Sequence, residues 1–163
     1  MNQIISCIAL LLATQFAVAA PVTPAEREQA TRQIEQLVGH FQQYVIAKDG
    51  KALSALFLPA DNSWLTVLSE ETYADVLKKR PDARRTRAST YQQFVDYVST
   101  SKGPIEEKFY NVQIATNGSI ASVYFDFDFI DNGRVDNRGS ESWHLVRTED
   151  GWKISSMIYS VGR

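Results

Sequence analysis

Apolar residues recur at helical spacing in the first part of the chain and at every second position in the last third. Ile34, Leu37, Val38, Phe41, Tyr44 and Val45 share one face of a helix. Thr23-Pro24-Ala25-Glu26 supplies its start: a capping hydroxyl, a proline suited to the first helical position, and a glutamate that completes a capping box. Asp49-Gly50 ends the run with a C-cap glycine. Lys51 to Phe57 reads as a second short helix stopped by Pro59, and Ser63 to Leu68 as a strand. Residues 70–82 fit either a helix, through Tyr73, Val76 and Leu77, or an irregular segment. Ser89 or Thr90 caps a further helix with Tyr91, Phe94, Val95 and Val98 inward, and Gly103-Pro104 ends it.

From Ile105 onward the period changes from 3.6 to 2. Strands are expected at Ile105 to Ala115, Ile120 to Ile130, residues 138–148, and Trp152 to Ser160. Asn117-Gly118 is a type I′ hairpin signal, and Asp131-Asn132-Gly133 and Glu149-Asp150-Gly151 mark the next two turns. Strands joined by turns this short run antiparallel. Helices first and an antiparallel sheet after them make an α+β architecture.

Composition changes this picture little. The 163 residues are 44% hydrophobic and 22% charged, with net charge −2, which suits one globular domain and disfavours a basic nucleic-acid binder. Two His and one Cys offer almost nothing to a metal site or a thiol enzyme, and no metal or cofactor is expected. Residues 1–19 read as a signal peptide. The apolar run Ile4 to Ala13 is too short to span a bilayer, and Ala17-Val18-Ala19 fits signal peptidase, with cleavage after Ala19. Its n-region has no Lys or Arg. The expectation is an exported, periplasmic or secreted domain over residues 20–163, without cysteine and without stable membrane insertion once the signal is removed.

The run Ile120-Ala121-Ser122-Val123-Tyr124-Phe125-Asp126-Phe127-Asp128-Phe129 is followed by Glu141-Ser142-Trp143-His144-Leu145-Val146-Arg147 and Asp150-Gly151-Trp152-Lys153-Ile154, then Tyr159-Ser160. With the long first helix ending at Lys48-Asp49-Gly50, and Leu53 and Phe57 after it, this resembles the nuclear transport factor 2-like superfamily, which includes SnoaL-type cyclases and ketosteroid isomerases. The resemblance covers about residues 24–160. It implies a strongly bent antiparallel sheet wrapped as a cone around the N-terminal helix, with short additional helices. It also implies a ligand or active site at the cone's mouth and a dimer through the sheet's outer face. The superfold hosts enzymes, binding proteins and scaffolds alike.

Alternation along 120–130 puts Ala121, Val123, Phe125, Phe127 and Phe129 on one face and Ser122, Tyr124, Asp126 and Asp128 on the other. A pocket walled by Trp64, Phe125, Phe127 and Trp143 suits a small apolar or aromatic molecule, with Tyr44 or Tyr73 projecting a hydroxyl. Glu141 shares the face of Trp143, so it is the polar contact there or a base raised by an apolar setting. Glu106 or Glu107 can reach the same mouth. Asp126 with Asp128 is the other candidate acid–base pair, although its position suits a solvated outer face. His144 falls on that outer face and His40 beside the helical stripe, both in structural roles. Residues 78–87 carry Lys78, Lys79, Arg80, Arg84, Arg85 and Arg87 against Asp82 alone; this reads as a solvated loop or a site for an anionic group. Three functions follow: a small-ligand-binding domain; a cofactor-free isomerase, cyclase or dehydratase using Glu141 or Asp126 as base; and a dimeric interaction module with a filled core and an exposed patch around Tyr124 and Val146.

Overall fold

Thr23 opens helix α1 (Pro24–Ala47) through a reciprocal cap. Its hydroxyl accepts from the Glu26 N–H at 3.3 Å, and the Glu26 carboxylate accepts from the Thr23 N–H at 2.8 Å. The computed structural model describes residues 22–60 and 62–162, so the expected targeting segment, residues 1–19, lies outside the described residues. The left-handed residue that ends α1 is Lys48, at φ 56°, and not Gly50. Gly50 instead opens helix α2 (Gly50–Ser54), capped by the Asp49 side chain. A Cβ there would meet Ser99 Oγ at 1.9 Å and Val95 Cγ1 at 3.3 Å, so a larger residue needs the Ser99 hydroxyl to rotate away and Val95 to give slightly.

Strand β1 (Ser63–Leu68) has the expected bounds, and residues 70–82 resolve into helix α3 (Glu70–Lys79). Strand β2 (Thr86–Ser89) carries no apolar alternation and was hidden inside the basic segment; it exists by pairing antiparallel with β1. Thr90 caps helix α4 (Tyr91–Thr100) with a second reciprocal box. Strands β3 (Ile105–Thr116), β4 (Ile120–Asp131), β5 (Arg134–Thr148) and β6 (Gly151–Val161) form the meander. The type I′ turn falls one hairpin later than expected. Asn132 and Gly133 both have positive φ (50° and 75°) and bring Asp131 opposite Arg134, which starts β5 earlier than residue 138. At 117–119 only Gly118 is left-handed, and the Asn117 side chain closes a longer loop by accepting from the Ser119 and Ile120 N–H groups.

The sheet order is β2-β1-β6-β5-β4-β3. The meander strands pair antiparallel as expected, while β1 joins β6 in parallel. Such a pairing needs a long crossover; here it is the chain from α3 through β5, so no short turn in the sequence announces it. Bulges interrupt β3 between Tyr110 and Gln113, the β4–β5 pair at Phe129/Ile130, and β5–β6 at His144/Leu145. Each sharpens the local twist, and together they curl the open sheet around α1. Asn111 takes up the first bulge with φ 55°.

Phe41 of α1 is the centre of the core. Its ring lies 4.8 Å from Trp143, 5.8 Å from Phe109 and 5.9 Å from Phe94. Val123, Phe125 and Trp143 are fully buried against it, as the alternation of β4 and β5 implies. Burial of side chains of this size contributes about 1.5–3 kcal/mol each.

Candidate functional site

The core does not fill the cone to its mouth. A cavity of about 260 Å³ remains between α4, α1 and the concave face of the sheet. Trp64 of β1, Phe127 of β4, Phe94 of α4 and Met157 of β6 make its apolar walls, while Tyr97 and Tyr159 add hydroxyl-bearing rings. Two carboxyls stand in this apolar lining: Glu107 of β3 and Glu141 of β5. Each is only 4% exposed.

Strand parity places both. Glu141 lies two residues before Trp143 on the inward face, and the Trp143 indole Nε1–H donates to Glu141 Oε2 at 2.8 Å. Glu107 shares the inward face of β3 with Ile105, opposite Phe129 of β4. Among the described residues, Glu107 Oε2 has no hydrogen-bond partner. Burial pushes the Glu107 carboxyl well above 4.5, and the neighbouring Glu141 charge pushes it further. Burial raises Glu141 to about 8, against the pull of the Trp143 hydrogen bond. Near neutral pH the pair is therefore largely protonated and can both donate and accept hydrogen bonds. Two coupled acids in an apolar cavity are suited to holding a neutral hydroxyl or carbonyl, or to moving a proton.

Neither a family model nor a curated protein matches the sequence. Solved structures do match. A candidate scytalone dehydratase from Novosphingobium aromaticivorans superposes with TM-score 0.65 at 14% identity, covering 86% of this chain and 89% of that one. A candidate dehydratase of the NTF2-like family from Streptomyces avermitilis gives 0.61 at 18%, covering 83% and 98%. An NTF2-like protein of unknown function from Shewanella baltica gives 0.56 at 14%, covering 83% and 96%. The chain has the nuclear transport factor 2-like fold.

Within this fold, Trp64, Phe127 and Glu141 come together around the cavity. Phe125 and Trp143 do not line it. They lie behind its wall in the solid core, their rings 4.8 Å apart and edge to face, because Phe41 covers Trp143 from the cavity side of α1. Tyr44 does not line it either: one turn further along α1, it stacks on His40 at 5.6 Å. The Tyr73 hydroxyl is used locally, donating to the Ala83 carbonyl at 3.0 Å.

Asp126 lies on the convex face, as its parity implied. Its carboxylate accepts from Asn111 Nδ2 at 2.9 Å and Ser140 Oγ at 2.7 Å, and these bonds hold it below 3.8. It is ionised and away from the cavity, whose carboxyls are those of Glu107 and Glu141. Tyr124 is exposed on the same convex face, and the exposed His144 pairs with Ser156. Tyr97 and Tyr159 were missed as site residues. Tyr97 lies one helical turn beyond Phe94, which is a usable signal. Tyr159 was hidden because the His144/Leu145 irregularity separates its parity from that of Trp152 and Ile154. Among the described residues, no group of three or more His, Cys, Asp or Glu is placed to hold a metal ion, and no helix is long and apolar enough to cross a membrane.

Proposed function

We propose that this nuclear transport factor 2-like domain binds a small, flat, largely apolar molecule whose hydroxyl or carbonyl meets Glu141 and Glu107. One observation carries the reading: Glu107 Oε2 is buried, unpartnered among the described residues, and faces an apolar cavity. A buried carboxyl left unpaired is costly, and a ligand donor relieves that cost. The aromatic walls supply the apolar contact.

The test is titration with 2-naphthol followed by calorimetry, together with native mass spectrometry of protein purified from its own cells. Binding that weakens about tenfold in Glu107→Leu, which removes the acceptor, is the expected result. No uptake of 2-naphthol and no co-purifying mass would end the reading. We also infer export, supported by the Ile4–Ala13 run and Ala17-Val18-Ala19. Sequencing the native N-terminus checks this: a start at Ala20 is expected, and a retained Met1 overturns it.

A second reading is favoured by the unequal hydrogen bonding of the two acids: Glu141 accepts from the Trp143 indole at 2.8 Å, which supports its charged form, while Glu107 Oε2 has no partner among the described residues. In a dehydration, the Glu141 carboxylate takes a proton from carbon and the C–H electron pair becomes the new C=C bond. The C–O bond breaks, and the hydroxyl leaves as water with the Glu107 proton. Solvent exchange then returns one proton to Glu107 and removes one from Glu141. Deuterium uptake at C1 of 2-tetralone, followed by NMR, tests the abstraction half. Exchange at the buffer rate, or exchange unchanged in Glu141→Gln, would leave binding alone.

A further inference from the structure

The basic segment is not a free loop. Its tail is β2, and the register runs Arg87 of β2, Thr66 of β1, Tyr159 of β6 and Glu141 of β5 as direct cross-strand neighbours. Neighbours in register project to the same face of a sheet. Arg87 therefore stands on the concave face, at the other end of one row from Glu141, three strand spacings or about 14 Å away. A groove of about 460 Å³ begins where the cavity ends, and the two share Asn137 and Tyr159. Arg80, Arg84, Arg85 and Arg87 line this groove.

Arg85 is committed elsewhere, to Glu70 at 2.8 Å and to the Leu68 carbonyl at 3.1 Å. Among the described residues, the guanidinium groups of Arg80, Arg84 and Arg87 have no ion-pair or hydrogen-bond partner. A second polar group is also idle. Thr66, only 5% exposed, lines the groove with an Oγ1 that has no hydrogen-bond partner among the described residues. Asp136 is the opposing charge on the cavity rim, and Asn137 Nδ2 donates to it at 3.2 Å. Uncommitted guanidinium groups next to a buried spare hydroxyl form an anion-binding set. It lies on the same face as an apolar cavity that ends in two carboxyls.

We propose that the ligand is an elongated aromatic monoanion: its charged group meets Arg87 and Thr66, its rings lie over Trp64 and Phe127, and a hydroxyl at its far end meets Glu141 and Glu107. This rests on the binding reading above and names its ligand class. The apolar lining around the carboxyl pair sets the orientation, since an anion placed there loses its hydration with no cation beside it.

The test compares 6-hydroxy-2-naphthoate with its neutral amide, 6-hydroxy-2-naphthamide, by calorimetry on the full chain at low ionic strength, where exposed guanidinium groups are least screened. The acid binds about tenfold more tightly than the amide, as expected for a charge-assisted contact. In Arg87→Gln and in Thr66→Val that preference shrinks to within about twofold, while 2-naphthol, which carries no group that reaches the groove, binds as it does to wild type, which shows that the cavity is intact. Equal binding of acid and amide by the wild type, or a preference untouched by Arg87→Gln, overturns the anion site and leaves the cavity reading standing. Binding of neither probe overturns the cavity reading and the anion site with it.

Discussion

Two pairs of acids occupy the two faces of the same curled sheet, and they meet opposite surroundings. On the convex face, Asp126 and Asp128 stand two residues apart on β4. Asp126 takes hydrogen bonds from Asn111 and Ser140, and Asp128 takes them from the Tyr110 hydroxyl and lies 3.3 Å from Arg138. On the concave face, Glu107 and Glu141 come from strands on either side of β4, and the Trp143 indole donates to Glu141 alone. The donors stabilise the charged form of Asp126 outside, and desolvation stabilises the neutral forms of Glu107 and Glu141 inside. An acid's chemistry in this molecule is thus decided by the face it occupies and the donors it meets there.

The largest effect should come from removing the inner donor. Trp143→Ala deletes a fully buried ring and should cost about 3–5 kcal/mol in denaturant unfolding. The gentler Trp143→Phe keeps much of the volume but removes the indole N–H, so Glu141 should titrate above about 8 in carbon-13 NMR. A Glu141 value that stays put would mean the hydrogen bond has little weight.

The next effect is the pH dependence of the inner pair. Between the unfolded value of 4.5 and the folded value near 8, the native chain holds a proton at Glu141 that the unfolded chain has lost. Stability therefore falls as pH rises through that window, and Glu107 acts in the same direction. Glu107→Gln/Glu141→Gln should flatten the curve and raise the melting temperature at pH 8.5 relative to pH 5. Parallel melting curves for variant and wild type would remove the claim that these carboxyls are held neutral.

Asp126 supplies the opposite sign. Its folded value is lowered, so its contribution is complete above 3.8 and is lost as pH falls through the folded value. Asp126→Asn should destabilise modestly at pH 7 and match wild type in strong acid. A loss that persists in acid would assign the effect to packing. The smallest effect is expected at Arg138→Gln, where an exposed pair with Asp128 is worth about 0–1 kcal/mol and fades in high salt.

Much of this was legible before any coordinates. The Thr23 and Thr90 caps, the period-two runs and the inward set Val123, Phe125 and Phe127 follow from local rules, because capping and strand alternation depend on residues a few positions apart. The inward position of Glu141 was legible too, since it shares parity with Trp143. The rest was not. Strand β2 has no apolar pattern and exists only through β1. Phe125 and Trp143 looked like pocket walls because parity shows which face a side chain takes, but not how deep it lies. The bulges at Asn111 and at His144/Leu145 shift parity midway along strands, so the inward set of β3 after the bulge and the place of Tyr159 could not be read off by counting.

The order of residues was enough to set the helices, the hairpins and which side of β4 and β5 is apolar, because hydrogen bonding and alternation are local. It also turned Glu141 inward with Trp143, and left Glu106 or Glu107 as the second carboxylate. The meeting of Glu107 with Glu141, the cavity beside them and the row from Arg87 to Glu141 belong to the curled sheet. They depend on pairings between strands distant in the chain, above all β1 in parallel beside β6, and on the bulges that curl the sheet around α1.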